Sequence, residues 1–99
     1  MKYETLKEGT GPELKSGQTA VVKYEGKLEN GEVFDHSSHE FPIGTGGVIK
    51  GWDEAIPGMK VGEVRKLTIP PEMGYGKLTK PNIPANSTLI FEVELVGIK

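Results

Sequence analysis

Two short stretches of this 99-residue chain have residue types and spacings that could carry chemistry. In Asp35-His36-Ser37-Ser38-His39-Glu40, imidazoles and carboxylates lie close together, and these are donor types that hold zinc and other transition ions. The same run holds Ser, His and Asp, the parts of a nucleophilic triad, but residues adjacent in sequence seldom converge on one reacting atom. A lone His pair on a polar loop is accounted for as a solvated tip, so neither a metal nor a triad is expected. Gly44-Thr45-Gly46-Gly47 opens like a dinucleotide loop, yet the third glycine is missing and no parallel βαβ unit surrounds it. No Gly-Lys-Ser/Thr follows a glycine run, which excludes a P-loop. With no Cys, thiolate metal sites, disulfides and cysteine nucleophiles drop out as well. No cofactor is implied.

What remains is non-covalent. Tyr24, Phe34, Phe41, Trp52, Tyr75 and Phe91, with Val48, Ile49 and Ile83, are accounted for one by one as core residues. Three fit a core less comfortably. Trp52 opens a helix just after a glycine-rich stretch, Tyr75 sits between two glycines, and Phe34-Asp35 leads a strand into a polar segment. An apolar concavity rimmed by a few polar groups is how small ligands and peptide side chains are held. Core and pocket both stand as readings of this set.

The elements that must position these residues follow from punctuation and periodicity. Gly and Pro account for 14 and 7 residues, an excess over average usage that implies many short elements. Residues 1–7 offer a first strand. Thr19 to Leu28 alternates, with Ala20, Val22, Tyr24, Gly26 and Leu28 on one face. Asn30-Gly31 then predicts a type I′ hairpin into Val33-Phe34. Lys50 to Ile56 makes about two helical turns, too short to stand alone, and Pro57-Gly58 ends them. Val64 to Ile69 and Leu89 to Ile98 read as strands, the latter with Leu89, Phe91, Val93 and Leu95 on one face. The long connections 35–51 and 70–88 draw attention as functional loops. Antiparallel strands with a single short helix make an α+β domain in which the helix covers the apolar face of a twisted sheet. One domain over residues 1–99 is expected.

Charge and hydropathy narrow the partners. Twelve basic against 14 acidic residues lack the basic excess that phosphate neutralisation requires, so nucleic acid is not expected. No apolar stretch approaches the ~18 residues of a membrane span and no signal-peptide pattern opens the chain. The reading is therefore a cytoplasmic monomer without a membrane partner.

Specificity comes from motifs in order. Val22-Lys23-Tyr24-Glu25-Gly26, Gly31-Glu32-Val33-Phe34-Asp35, Val48-Ile49-Lys50-Gly51-Trp52-Asp53-Glu54, Gly58-Met59-Lys60-Val61-Gly62-Glu63, Leu67-Thr68-Ile69-Pro70-Pro71, Tyr75-Gly76 and Ile90-Phe91-Glu92-Val93-Glu94-Leu95 closely resemble the FKBP-type peptidyl-prolyl cis-trans isomerases from about residue 3 to 98. The resemblance implies a twisted antiparallel sheet wrapped around one short helix. It also implies a pocket with Trp52 as floor and Tyr24, Phe34, Val48, Ile49, Tyr75, Ile83 and Phe91 as walls. Asp35 would be the one carboxylate there, bonded to the Tyr24 hydroxyl. The Ile49 N–H and the Tyr75 hydroxyl would grip carbonyls of a bound peptide or of macrolides such as tacrolimus and rapamycin. Asp35, Tyr75 and Ile49 are thus the expected catalytic groups, acting on proline-containing peptides and on unfolded or partly folded proteins.

The chain departs from the family pattern at two loops. The segment after Phe34-Asp35 is short and lacks the usual Arg, and His39 falls where a rim Phe stands. Pro81-Asn82-Ile83-Pro84 replaces a glycine-richer sequence. A narrower apolar rim, weaker macrolide binding and some pH dependence through His39 are expected. The runner-up reading is a binding or chaperone module of the same fold with weak or no isomerase activity.

Overall fold

Period-two alternation demands one buried and one open face, and the computed structural model, which describes residues 1–99, supplies both. Lys2–Lys7 (β1), Thr19–Leu28 (β2), Val33–Pro42 (β3), Val64–Ile69 (β4) and Leu89–Ile98 (β5) form one antiparallel sheet in the order β1-β4-β5-β2-β3. Lys50–Ala55 is the single α-helix, α1, and a 3₁₀ turn follows β4 at Pro71–Met73. The expected α+β class is the one that forms. Leu89, Phe91, Val93 and Leu95 are buried along the central strand β5, and Ala20, Val22 and Leu28 along β2. Trp52 and Ala55 from α1, with Ile56 just beyond it, join them in one core. The helix seats on β4 because residue 51 has no side chain. An added Cβ there would lie 2.8–2.9 Å from three atoms of Ile69.

Two local expectations are corrected. Residues 35–40, read as loop, belong to β3, which pairs with β2 from Thr19↔Pro42 to Lys27↔Val33. β3 is an edge strand in which only Phe41 is buried, so the burial pattern that betrays an interior strand is missing from its sequence. Asn30-Gly31 does reverse the chain, but through a three-residue loop and not a type I′ pair. Gly31 alone is left-handed, at φ 91. The loop closes by hydrogen bonds from the Leu28 N–H to the Glu32 carbonyl and from the Gly31 N–H to the Leu28 carbonyl. This is the form in which a turn is followed by a left-handed residue.

One polar network ties the sheet to the end of the helix. Glu63 is 4% exposed, the one buried charged residue. Its carboxylate accepts from the Thr5 hydroxyl (3.0 Å), the Lys60 N–H (3.0 Å) and Arg65 Nε (2.5 Å). Arg65 Nη1 also donates to the Ala55 carbonyl (2.8 Å) at the C-terminus of α1. Burial alone would raise the Glu63 pKa, but the Lys60, Arg65 and Thr5 hydrogen bonds and the Arg65 charge outweigh it and hold the group below its ordinary value of 4.5.

A carboxyl whose folded pKa is depressed adds stability above its unfolded pKa and loses it as pH falls through the folded one. Glu63→Gln is expected to cost about 2–4 kcal/mol at neutral pH because it strands Arg65. That gap should narrow once the pH drops below 4.5. Urea unfolding followed by Trp52 fluorescence at neutral and acid pH measures it, and an equal gap at both would remove this network from the stability.

Candidate functional site

A cavity of about 230 Å³ opens where the helix N-terminus meets the β2-β3-β5 side of the sheet. β2 contributes Tyr24; β3 contributes Phe34, Asp35 and His39; β5 contributes Phe91. Gly47, Val48 and Ile49 come from the approach to α1, Trp52 from α1 itself, and Tyr75 from the loop after the 3₁₀ turn.

Neighbouring residues of a regular strand point to opposite faces, yet Phe34 and Asp35 both line the cavity. The register explains how. Gly26 faces Asp35 while Lys27 faces Val33, so Phe34 is an extra residue on β3, and such a bulge re-aims the side chains around it. Gly26 completes the arrangement. A Cβ there would come within 2.7–2.8 Å of the Phe34 and Phe91 rings.

The floor is Trp52, 5% exposed. Its ring lies 5.0 Å from Tyr24, 5.2 Å from Phe91 and 5.4 Å from Phe41, and Phe34 meets Phe91 at 5.5 Å and 90°. Most of these contacts are edge-to-face, the geometry that aromatic quadrupoles favour. His39 stacks on Phe41 at 5.4 Å and 22°. An imidazole therefore covers Phe41, which is buried behind it and does not line the cavity.

Polar groups are few. The Tyr24 hydroxyl donates to Asp35 Oδ2 (2.5 Å) and the His36 N–H to Asp35 Oδ1 (2.8 Å). Burial, then the hydrogen bond and charge of Asp35, then Tyr75, push the Tyr24 pKa up to about 12. Tyr24 is thus a fixed donor and Asp35 its acceptor. The Ile49 N–H donates to no group in the chain, and neither does the Tyr75 hydroxyl.

The glycine run has a mechanical role. The Gly44 and Gly46 N–H groups donate to the Asp53 carboxylate (3.0 and 2.8 Å), which fixes the loop to the first turn of α1. His36 and His39, at an odd spacing on β3, point to opposite faces and cannot close on one ion. His39 lines the cavity and His36 lies on the outer face beside Glu25.

Of the residues singled out in the sequence, Tyr24, Phe34, Asp35, His39, Val48, Ile49, Trp52, Tyr75 and Phe91 come together here. Ile83 does not line the cavity; it is 6% exposed and packs into the core below the loop. Gly47 lines the cavity through backbone alone; the glycine run that contains it was noted in the sequence as a loop, not as a cavity wall. Asp53 did leave a signal, as an acidic residue in a first helical turn shortly after a glycine run.

Residues 11–96 match the family described as FKBP-type peptidyl-prolyl cis-trans isomerase. The chain is 51% identical over 100 residues to FK506-binding protein 4 of Mycosarcoma maydis, and 50% identical over 103 residues to FK506-binding protein 4 of Aspergillus fumigatus. These alignments take in 97% and 100% of this chain but 27% and 21% of the relatives, so the chain spans about a quarter of the length of the curated relatives it matches. Among solved structures, AtFKBP13 superposes with a TM-score of 0.89 at 39% identity, over 98% of this chain and 91% of that one. FkpA from Escherichia coli superposes with a TM-score of 0.86 at 42% identity, over 98% and 47% of the two chains.

Two measurements check the geometry. Gly26→Ala is expected to cost about 1–3 kcal/mol by displacing a ring, as overpacked cores do, and to alter Trp52 fluorescence. Unchanged thermal unfolding would show that Phe34 and Phe91 are not held against that glycine. Because the folded pKa of Tyr24 is raised, its contribution to stability is present below the unfolded value of 10.0 and lost as pH rises through about 12. An absorbance titration should show a tyrosine with that late midpoint, and Tyr24→Phe should abolish it.

Proposed function

The chain belongs to the FKBP-type peptidyl-prolyl cis-trans isomerases, and we propose that its cavity receives the proline of an X–Pro segment and speeds rotation about the preceding bond. One observation carries this reading. An aromatic floor at Trp52 is combined with two donors, the Ile49 N–H and the Tyr75 O–H, that are paired with nothing in the chain. Such a site suits a ligand with an apolar ring flanked by carbonyls, which describes a prolyl peptide.

The chemistry needs no nucleophile. Amide resonance sets a rotation barrier of ~18–20 kcal/mol, and X–Pro isomerisation takes tens to hundreds of seconds unaided. In the twisted transition state the nitrogen is pyramidal, the carbonyl more ketone-like and the dipole smaller. An apolar pocket therefore penalises the planar ground state more than the twisted one. A thousandfold acceleration requires only about 4 kcal/mol. Desolvation over Trp52 and a hydrogen bond that strengthens in the twisted state are of that size.

Asp35 acts here by charge and by orientation. Its bond to the Tyr24 hydroxyl holds one wall of the cavity, and its carboxylate faces the space where the amide turns. No proton transfer is needed. Macrolides of the FK506 class would compete for the same floor, more weakly where His39 narrows the rim.

Proline-limited refolding of a test protein, assayed without protease, decides the matter. Acceleration that rapamycin suppresses is the expected result; suppression of aggregation without acceleration would leave only a binding module. Asp35→Ala should lower the rate about tenfold or more, the size of a lost charge-assisted hydrogen bond. If a folded Asp35→Ala variant isomerised a Leu-Pro peptide at the wild-type rate, the role given to that carboxylate would be wrong.

A further inference from the structure

Pro81-Asn82-Ile83-Pro84 departs from the family pattern and contributes nothing to the cavity lining. It forms a tight turn. Lys80 and Ile83 exchange both backbone hydrogen bonds, each 2.9 Å, and Asn82 is left-handed at φ 65. Proline at the first central position with a left-handed residue at the second is a type II turn, in which the proline ring presets φ and asparagine tolerates the strain. One limb is anchored, because Ile83 is buried in the core. The other limb carries Lys80.

That lysine is aimed and unspent. Its ammonium lies 5.2 Å from the centroid of the Tyr75 ring, a wall of the cavity. The ion pairs in the structure are Lys27–Glu25, Arg65–Glu63 and Lys99–Glu40, so no carboxylate neutralises Lys80. The one carboxylate lining the cavity, Asp35, is bonded to Tyr24 and to the His36 N–H. A cation thus stands over the ring of the residue whose hydroxyl would hold the peptide.

We propose that Lys80 is a specificity-determining residue that favours X–Pro segments carrying an acidic side chain directly before or after the proline. The inference rests on the isomerase reading above. A segment held at Tyr75 passes Lys80, where a carboxylate gains an ion pair without breaking an internal one and a basic side chain meets like charge. Rim charges of this kind act mainly on encounter and discrimination, and salt screens them.

The test uses peptides of the form Ala-X-Pro-Phe and Ala-Leu-Pro-X, with X as Glu, Gln or Lys. Their kcat/KM values are measured at low and high NaCl, and binding is followed in parallel by Trp52 fluorescence. In wild type, Glu should exceed Gln by about three- to fivefold at low salt in at least one series, as a solvent-exposed ion pair allows. The ratio should approach one at high salt and in Lys80→Gln, return in Lys80→Arg, and invert in Lys80→Glu. A Glu/Gln ratio that Lys80→Gln leaves unchanged, or the absence of any Glu preference in wild type, overturns the proposal. Failure to accelerate any peptide would instead refute the isomerase reading, and the binding ratios would still decide the role of Lys80.

Discussion

A helix of six residues cannot hold itself together in water, and everything at the cavity depends on this one being held from outside. α1 has no side-chain cap at its N-terminus. It supplies Trp52 as the floor, and the residue before its first turn is Ile49, whose N–H is left free at the wall. Two clamps do the holding. At the front, Asp53 gives its carboxylate to the Gly44 and Gly46 N–H groups and draws the loop against the first turn. At the back, Arg65 reaches from β4 to the Ala55 carbonyl. Between them Gly51 lets the helix axis settle onto Ile69.

With the helix fixed, the cavity stays open because its walls brace one another. Phe91, on the central strand, lies within 6.0 Å of Tyr24, 5.5 Å of Phe34 and 5.2 Å of Trp52. Rings packed edge to face lose contact area if one of them tips inward, so the concavity resists collapse. Gly26 provides the room for Phe34 and Phe91 to meet, and the bulge at Phe34 turns both it and Asp35 toward the same space. The open volume costs packing locally. The continuous apolar core beneath it offsets that loss.

Much of this was legible in the sequence, and what was not has physical reasons. β2 and β5 declared themselves because one face of each is buried, and alternation is the direct record of that burial. β3 did not, since an edge strand with solvent on most of its surface leaves no record of burial in exposed residues such as Asp35, Ser37 and Glu40. The aromatic set was visible, but periodicity cannot separate a residue that fills a core from one that lines a hole in it. The ordered motifs named residues that the structure brings to the cavity, all but Ile83, which is buried in the core. Ile83 closes the Pro81-Asn82 turn and anchors it in the core. Gly47 was visible only as the end of a glycine run, a pattern that does not say which backbone will line a cavity.

The carboxylates at the two ends of α1, Glu63 and Asp35, show how the fold divides labour along that helix. Glu63, near its C-terminal end, is saturated: a hydroxyl, a backbone N–H and a guanidinium all donate to it. Its charge is neutralised at short range and acts on stability alone. Asp35, near the N-terminal end, has a phenol and a backbone N–H but no cation. Those two donors orient it without cancelling its charge. An arginine in place of the Tyr24 hydroxyl would bind the carboxylate more strongly and remove the field that a turning amide would feel. A site that works by desolvation and orientation therefore needs its polar groups held but unneutralised, and the structural ion pair is placed at the opposite end of the helix from them.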